Sequence, residues 1–192
     1  PLGTAEISMW DFANAYTTLA SNGYKKDLGV ILKVTDMHGN ILYEKKNNST
    51  QVLNSNYTFI LNEMLTATYN SAFIDYNTPT IISLGSKISR KYAMKTGSSG
   101  TDCYMIGYNP DILMLVWNGY DDNRQMNPVD GNISKNIWVN TVEEYLKDKE
   151  ARWYDVPENV VGVPLDAITG NQAVNDKKMY VYYYVKGSEY VN

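Results

Sequence analysis

The sequence contains one cysteine, Cys103, and one histidine, His38, and each scarcity excludes a kind of site. A single cysteine excludes a disulfide within the chain and a metal centre built on several cysteines. A catalytic triad that needs histidine would have to use His38. That residue lies in the turn-forming stretch from Asp36 to Asn40, which predicts a surface position. The sequence therefore disfavours serine–histidine and cysteine–histidine chemistry.

Long apolar runs and an excess of basic residues are also missing. No stretch of eighteen apolar residues occurs, and the first residues lack the basic, apolar and small-residue order of a signal peptide. The 17 basic and 21 acidic residues give a formal net charge of -4. Because such a chain offers no positive field to a polyanion, we expect no nucleic-acid partner.

Hydrophobic periodicity predicts an α+β fold with one sizeable core, since 44% of the 192 residues are hydrophobic. A capping box at Ser8 to Asp11 begins a helix over residues 9–21, a β-hairpin covers 30–34 and 41–43, and a second helix follows a cap at Asn54 or Ser55. Strands over 91–99, 102–108 and 112–120 form an antiparallel meander, and a third helix runs from Ile137 to Leu146. We expect residues 1–150 to form the main part and 151–192 a C-terminal extension.

One short segment of the predicted sheet carries groups suited to a ligand. Lys95, Thr96, Gly97 and Ser98 follow one another, so alternation places Lys95 and Gly97 on one face and the two hydroxyls on the other. A positive charge with neutral donors suits a carboxylate, and glycine permits close backbone approach by a ligand. Taken alone, the tetrapeptide also fits an exposed strand end with ordinary polar residues.

The surrounding sequence resembles the class A penicillin-binding proteins over almost the whole chain. Similarity is densest at Thr101-Asp102-Cys103-Tyr104-Met105-Ile106-Gly107-Tyr108-Asn109-Pro110-Asp111 and at Trp117-Asn118-Gly119-Tyr120-Asp121-Asp122. Further similar segments are Leu2 to Ser8 with Ala20-Ser21-Asn22-Gly23, Ile137-Trp138, Trp153-Tyr154 and Pro157 to Val160. Four regions that agree in the same order are far more specific than the tetrapeptide.

The resemblance implies the C-terminal part of the penicillin-binding transpeptidase fold, which is similar to that of the serine β-lactamases: an antiparallel sheet flanked by helices. It implies a serine D,D-transpeptidase that cross-links peptidoglycan stem peptides and reacts with β-lactam antibiotics. The protein would act at the extracytoplasmic face of the bacterial cell membrane, anchored by a segment absent from this chain. No metal or organic cofactor is implied.

Only one of the family's three active-site motifs is present. The family pattern has an S-x-x-K motif with the nucleophilic serine, an S-x-N motif and K-T-G. Ser83 and Ser21 have a lysine four residues later rather than three, and Asn54-Ser55-Asn56 lacks the family context. Both missing motifs would precede Pro1, so the expected partner is an N-terminal part of the same protein.

Roles follow for the four K-T-G-S residues from the resemblance. Lys95 supplies positive potential at the nucleophile, and the hydroxyls of Thr96 and Ser98 bind the terminal carboxylate of the substrate. Gly97 lets the substrate approach the backbone, and the Ser98 N–H forms half of the oxyanion hole. The catalytic residues are thus Lys95 and Ser98, and the substrate-binding residues are Lys95 to Ser98.

Two features leave alternatives open. Many members have a longer link after K-T-G and an Asp-x-Trp sequence where this chain has Asp102-Cys103-Tyr104, so the local loop geometry is not fixed by the resemblance. The functional alternatives are a β-lactam hydrolase or carboxypeptidase that passes the acyl group to water, and a non-catalytic cell-wall scaffold or β-lactam-binding protein of the same fold. Asp121-Asp122 is most simply a solvated strand end, and Cys103 a small buried hydrophobe.

Overall fold

A computed structural model describes residues 6–172 and 178–189, apart from the side chain of Pro128. These residues contain three α-helices, α1 (Met9–Ala20), α2 (Ser55–Met64) and α3 (Ile133–Leu146). Their strands are β1 (Tyr24–Lys26), β2 (Lys33–Thr35), β3 (Ile41–Glu44), β4 (Ser49–Gln51), β5 (Ala93–Ser98), β6 (Asp102–Tyr108), β7 (Leu113–Gly119), β8 (Val160–Asp166) and β9 (Met179–Val185). Short 3₁₀ helices occupy Leu65–Tyr69, Ser71–Phe73, Ile82–Leu84 and Pro128–Asn132.

Two of the predicted helices begin directly after their predicted capping residues. The Ser8 hydroxyl accepts a hydrogen bond from the Asp11 amide at 3.0 Å and begins α1. The Asn54 side chain accepts from the Asn56 amide at 2.9 Å and begins α2. α3 begins at Ile133, one turn before the predicted start, because the preceding 3₁₀ helix leads directly into it.

The predicted hairpin is confirmed as β2–β3, and the Asp36 carboxylate shapes its turn by accepting from the amides of His38 and Asn40 at 2.8 and 2.9 Å. His38 is exposed, as predicted. The pairing of β1 with β4, whose strands have three residues each, was not predicted from the sequence. Segments so short carry too little alternation to be found by pattern alone.

The predicted meander is confirmed as a three-stranded antiparallel sheet in the order β5-β6-β7. On one face α1 lies over β6 through edge-to-face contacts of Phe12 with Tyr104 and of Tyr16 with Tyr108. On the other face α3 buries Trp138 against the sheet. The core thus lies between the sheet and α3, and α1 covers the face that carries Lys95.

Trp138 and Gly107 fit together so closely that a side chain added at position 107 would clash with the indole. The indole is fully buried and donates to the Met114 carbonyl at 3.1 Å. A Cβ atom built on Gly107 would lie 2.4 Å from Cζ2 of that ring. The rigid ring cannot move aside inside a close-packed core.

We therefore expect Gly107→Ala to lower the free energy of unfolding of this chain by about 1–3 kcal/mol, the cost of overpacking a core. Urea denaturation gives the measurement. Gly131→Ala is the matched control, since its new Cβ would meet only the Cys103 sulfur at an ordinary 3.6 Å. Equal stability of the two variants would contradict the packing described for Trp138.

The residues beyond 150 pack against α2. Glu63, which is 5% exposed, accepts from the Trp153 indole at 2.6 Å and pairs with Lys91 Nζ at 2.5 Å. Strand β9 adds a contact between Phe59 and Tyr183, whose ring centroids lie 5.1 Å apart. β8 and β9 pair along their full length, which confirms the extended pattern predicted there. The division near residue 150 stays a prediction.

Candidate active site

The four K-T-G-S residues occupy the second half of β5 and, within the described residues, β5 pairs with a strand on one side only. Lys95, Gly97 and Ser98 are exposed and Thr96 is half-buried. Lys95 and Gly97 pair with residues on the α1 face, whereas Thr96 and Ser98 pair with residues on the α3 face, as alternation predicted. The two hydroxyls therefore do not lie on the face of Lys95. What all four residues share is the open edge of the strand.

Backbone groups of β5 also point to this edge. In an antiparallel pair, the N–H and C=O of one residue both point to the partner strand, and those of the next residue point away. The Met94 carbonyl points away from β6, because it accepts from the Thr68 hydroxyl at 3.3 Å. The register continues without a bulge. Hence the N–H groups of Thr96 and Ser98 face the open edge too.

The Lys95 side chain reaches the same edge. Its ammonium group donates to the carbonyl of Thr96, the neighbour whose peptide oxygen faces outward. Upstream, the Tyr69 hydroxyl donates to the Tyr92 carbonyl at 3.1 Å and accepts from the Tyr92 amide at 3.2 Å. The 3₁₀ helix at Leu65–Tyr69 thus covers the edge before Lys95 and leaves the K-T-G-S part open.

A short turn closes β5 onto β6 directly after Ser98, and an acidic residue organises it. The Asp102 carboxylate accepts from the Trp117 indole and from the Thr101 hydroxyl, each at 2.9 Å, and from the Ser99 hydroxyl at 3.2 Å. These hydrogen bonds, that of Trp117 foremost, lower the pKa of the Asp102 carboxyl. The loop after K-T-G, which the resemblance did not fix, is thus a three-residue turn, Ser99 to Thr101.

The contact of Asp102 with Trp117 was not predicted from the sequence, although both residues lie in the segments that carry the resemblance. A detectable feature was the spacing of Trp117 and Gly119 on one face of β7. A Cβ atom on Gly119 would lie 2.7 Å from the Trp117 ring and 2.9 Å from the Thr101 carbonyl oxygen. Glycine at 119 therefore lets the ring lie across the strand end toward Asp102.

The weaker candidates add no second centre. Asp121 and Asp122 are exposed, and Asp122 pairs with Arg124 at 3.8 Å, which fits the solvated strand end predicted for them. Cys103 is half-buried rather than buried, and its partial burial raises the pKa of the thiol.

Among the residues described, no three His, Cys, Asp or Glu side chains gather into a group that could hold a metal ion. In the described part of the chain, no helix has the length and apolarity needed to span a bilayer.

Comparison with known proteins gives relatives over the whole chain. The chain is 33% identical over 193 residues to penicillin-binding protein 2D of Bacillus subtilis, with all of this chain and 28% of that protein aligned. It is 26% identical over 169 residues to penicillin-binding protein 1A of Neisseria meningitidis, a match that covers 83% of this chain and 20% of the relative. No protein-family model matches the chain. The chain spans about a quarter of the length of these two relatives.

Among solved structures, the crystal structure of penicillin-binding protein 1A from Haemophilus influenzae matches all of this chain and 34% of that chain, with a TM-score of 0.82. At 21% identity this likeness shows the fold, which confirms the predicted α+β class. The chain belongs with the class A penicillin-binding proteins and corresponds to the C-terminal part of their transpeptidase region.

Proposed function

We propose that this chain forms the K-T-G wall of the active site of a serine D,D-transpeptidase that cross-links peptidoglycan stem peptides. One observation carries the proposal: within four residues, the open-edged end of β5 carries a lysine on one face, two hydroxyls on the other and outward N–H groups along the edge. The names of the relatives support it, since both are penicillin-binding proteins. A penicillin is a carboxylate with a reactive carbonyl, and both groups suit this set of donors.

Lys95 and Ser98 have different roles in this proposal. The ammonium of Lys95 supplies positive potential beside the serine nucleophile, which lies in the preceding part of the protein, and so favours its deprotonated form. The outward N–H of Ser98 is one oxyanion-hole donor. Such a donor lowers the activation free energy by about 3 kcal/mol. The hydroxyls of Thr96 and Ser98 bind the carboxylate of the terminal D-Ala, and Gly97 lets the substrate backbone lie close to β5.

The reaction has two steps. The serine oxygen attacks the carbonyl of the penultimate D-Ala, the peptide bond to the terminal D-Ala breaks, and D-Ala leaves with the proton taken from the serine. The amine of a neighbouring stem peptide then attacks the ester, which forms the cross-link and frees the serine. We place this activity at the extracytoplasmic face of the cell membrane, with the anchor and the S-x-x-K and S-x-N motifs outside this chain.

Product analysis of the complete protein tests the function. A donor peptide that ends in D-Ala-D-Ala is incubated with a rising concentration of an acceptor amine. We expect D-Ala release and a cross-linked product that increases with the acceptor. A product formed with water alone would identify a carboxypeptidase or hydrolase instead. Binding of penicillin without any turnover would identify a non-catalytic protein of the same fold.

Ser98→Ala separates the two roles of Ser98, because alanine keeps the backbone N–H and removes the hydroxyl. In the complete protein we expect about a tenfold loss of acylation rate with substrates that bear a free carboxylate, the effect of one charge-assisted hydrogen bond. Substrates whose carboxylate is esterified should lose much less. Comparison of the two within one variant provides the control, and equal losses would contradict the carboxylate assignment.

A further inference from the structure

We propose that Asp102 is a positioning residue of this active site, acting with Trp117 to hold the turn that follows Ser98. The inference rests on the proposed function. It assigns a role to a side chain that touches neither the nucleophile nor the substrate in the scheme above.

The turn depends on Asp102 and on the side chain of Ser99. The Ser99 hydroxyl accepts from the amides of Thr101 and Asp102, at 3.1 and 3.0 Å, and donates to the Asp102 carboxylate at 3.2 Å. The Ser99 amide donates to the Asp102 carbonyl at 2.8 Å. The amide, the carbonyl and the carboxylate of Asp102 thus all hydrogen-bond to Ser99 and hold the turn.

Trp117 connects this turn to the rigid part of the sheet. Its strand, β7, is the far strand of the three, and its indole crosses the end of β6 to donate to Asp102 at 2.9 Å. The bare Cα of Gly119 leaves room for that ring. The carboxylate thus has the indole donor on one side and the hydroxyls of the turn on the other.

A second fixed contact lies on the outer side of the turn. The Gly100 carbonyl accepts from the Met126 amide at 2.9 Å, so the loop after β7 also touches the turn. That contact restrains the tip, whereas Asp102 restrains Ser99 and Thr101, the residues on either side of the tip. The Ser98 N–H belongs to the peptide that joins Gly97 to Ser98, so its direction depends on the pairing of the last residues of β5 with β6 up to the turn.

The consequence for the proposed chemistry is geometric. An oxyanion-hole donor works only when its hydrogen points at the developing charge, and sites need alignment to about 0.5 Å and 10–20°. Release of Ser99 from Asp102 would let the end of β5 separate from β6, which would change the direction of the Ser98 N–H. The loss should therefore appear in the rate of acylation rather than in the binding of penicillin before acylation.

Three variants of the complete protein test the inference: Asp102→Ala, Asp102→Asn and Trp117→Phe. Asparagine keeps an oxygen for the Trp117 indole and can donate to the Thr101 hydroxyl, so it removes the charge and, of these contacts, only the acceptor of the Ser99 hydroxyl. We expect Asp102→Ala and Trp117→Phe each to slow acylation by about tenfold or more, with unchanged initial binding. Asp102→Asn should stay within about threefold of the wild type. A variant that combines Asp102→Ala with Trp117→Phe should lose no more acylation rate than the slower of the two single variants, because both changes break the same connection.

Amide hydrogen exchange across residues 98–102 supplies a structural measurement on the same proteins. Faster exchange in Asp102→Ala than in Asp102→Asn, with unchanged exchange in α3, is the expected result. Equal losses of acylation in the alanine and asparagine variants would show that the charge matters and would overturn the positioning role. A wild-type rate in Asp102→Ala would overturn this inference alone, whereas failure of the wild-type protein to be acylated would overturn the proposed function and this role with it.

Discussion

This chain, incubated alone with a large excess of a penicillin, should keep its unmodified mass in intact-protein mass spectrometry. The K-T-G wall offers a charge and hydrogen-bond donors but no atom that forms a bond with the drug. No serine of the chain has a lysine three residues later, the position of the base in the family motif. A serine hydroxyl without such a base is a weak nucleophile at neutral pH.

Addition of the N-terminal part of the protein should restore the reaction and place the adduct on that part. The structure gives a reason to expect association. Within the described residues, β7 pairs only with β6, so its outer edge keeps unpaired N–H and C=O groups beside apolar side chains such as Leu113 and Leu115. Open strand edges of this kind pair with another strand or aggregate.

Two measurements separate the outcomes. Peptide mapping after proteolysis identifies the modified part, and size-exclusion chromatography reports whether the two parts associate. A stoichiometric penicilloyl adduct on any serine of this chain would show that the nucleophile had been misplaced. Association without an adduct would contradict the proposed chemistry of the assembled site but not the predicted pairing of the two parts.

Lys95→Ala in the complete protein should slow acylation by penicillin at least about 100-fold, which corresponds to about 2.7 kcal/mol of activation free energy. The ammonium group lies at the open edge of β5, where the nucleophile of the proposed site would stand. Its removal takes away the positive charge that favours the deprotonated serine and stabilises the oxyanion. Stopped-flow measurement of the acylation rate gives the value.

Lys95→Arg and Lys46→Ala serve as controls. Arginine keeps the charge but changes its shape and reach, so we expect a loss smaller than that of alanine. Lys46 is an exposed loop lysine, and its replacement removes the same net charge at a distance from β5. Acylation of Lys95→Ala at the rate of Lys46→Ala would remove Lys95 from the site.

Much of the fold followed from local pattern. Side-chain caps at Ser8 and Asn54 began helices where predicted, because capping depends on residues only two or three positions apart. The meander followed from three apolar strands separated by short turns. The positions of Lys95 to Ser98 on two faces of β5 also followed, since alternation along a strand needs no tertiary information.

Contacts between distant residues decided the rest. The three-residue pairing of β1 with β4 joins segments about 25 residues apart, and neither segment is long enough to be recognised as a strand from its sequence. Trp117 meets Asp102 from 15 residues away, a contact that depends on strand register and on the empty space above Gly119. The family resemblance identified the residues of the wall. Which peptide groups face the open edge, and what holds the turn beside them, was decided by tertiary hydrogen bonds, because their donors and acceptors are brought together only when the sheet has formed.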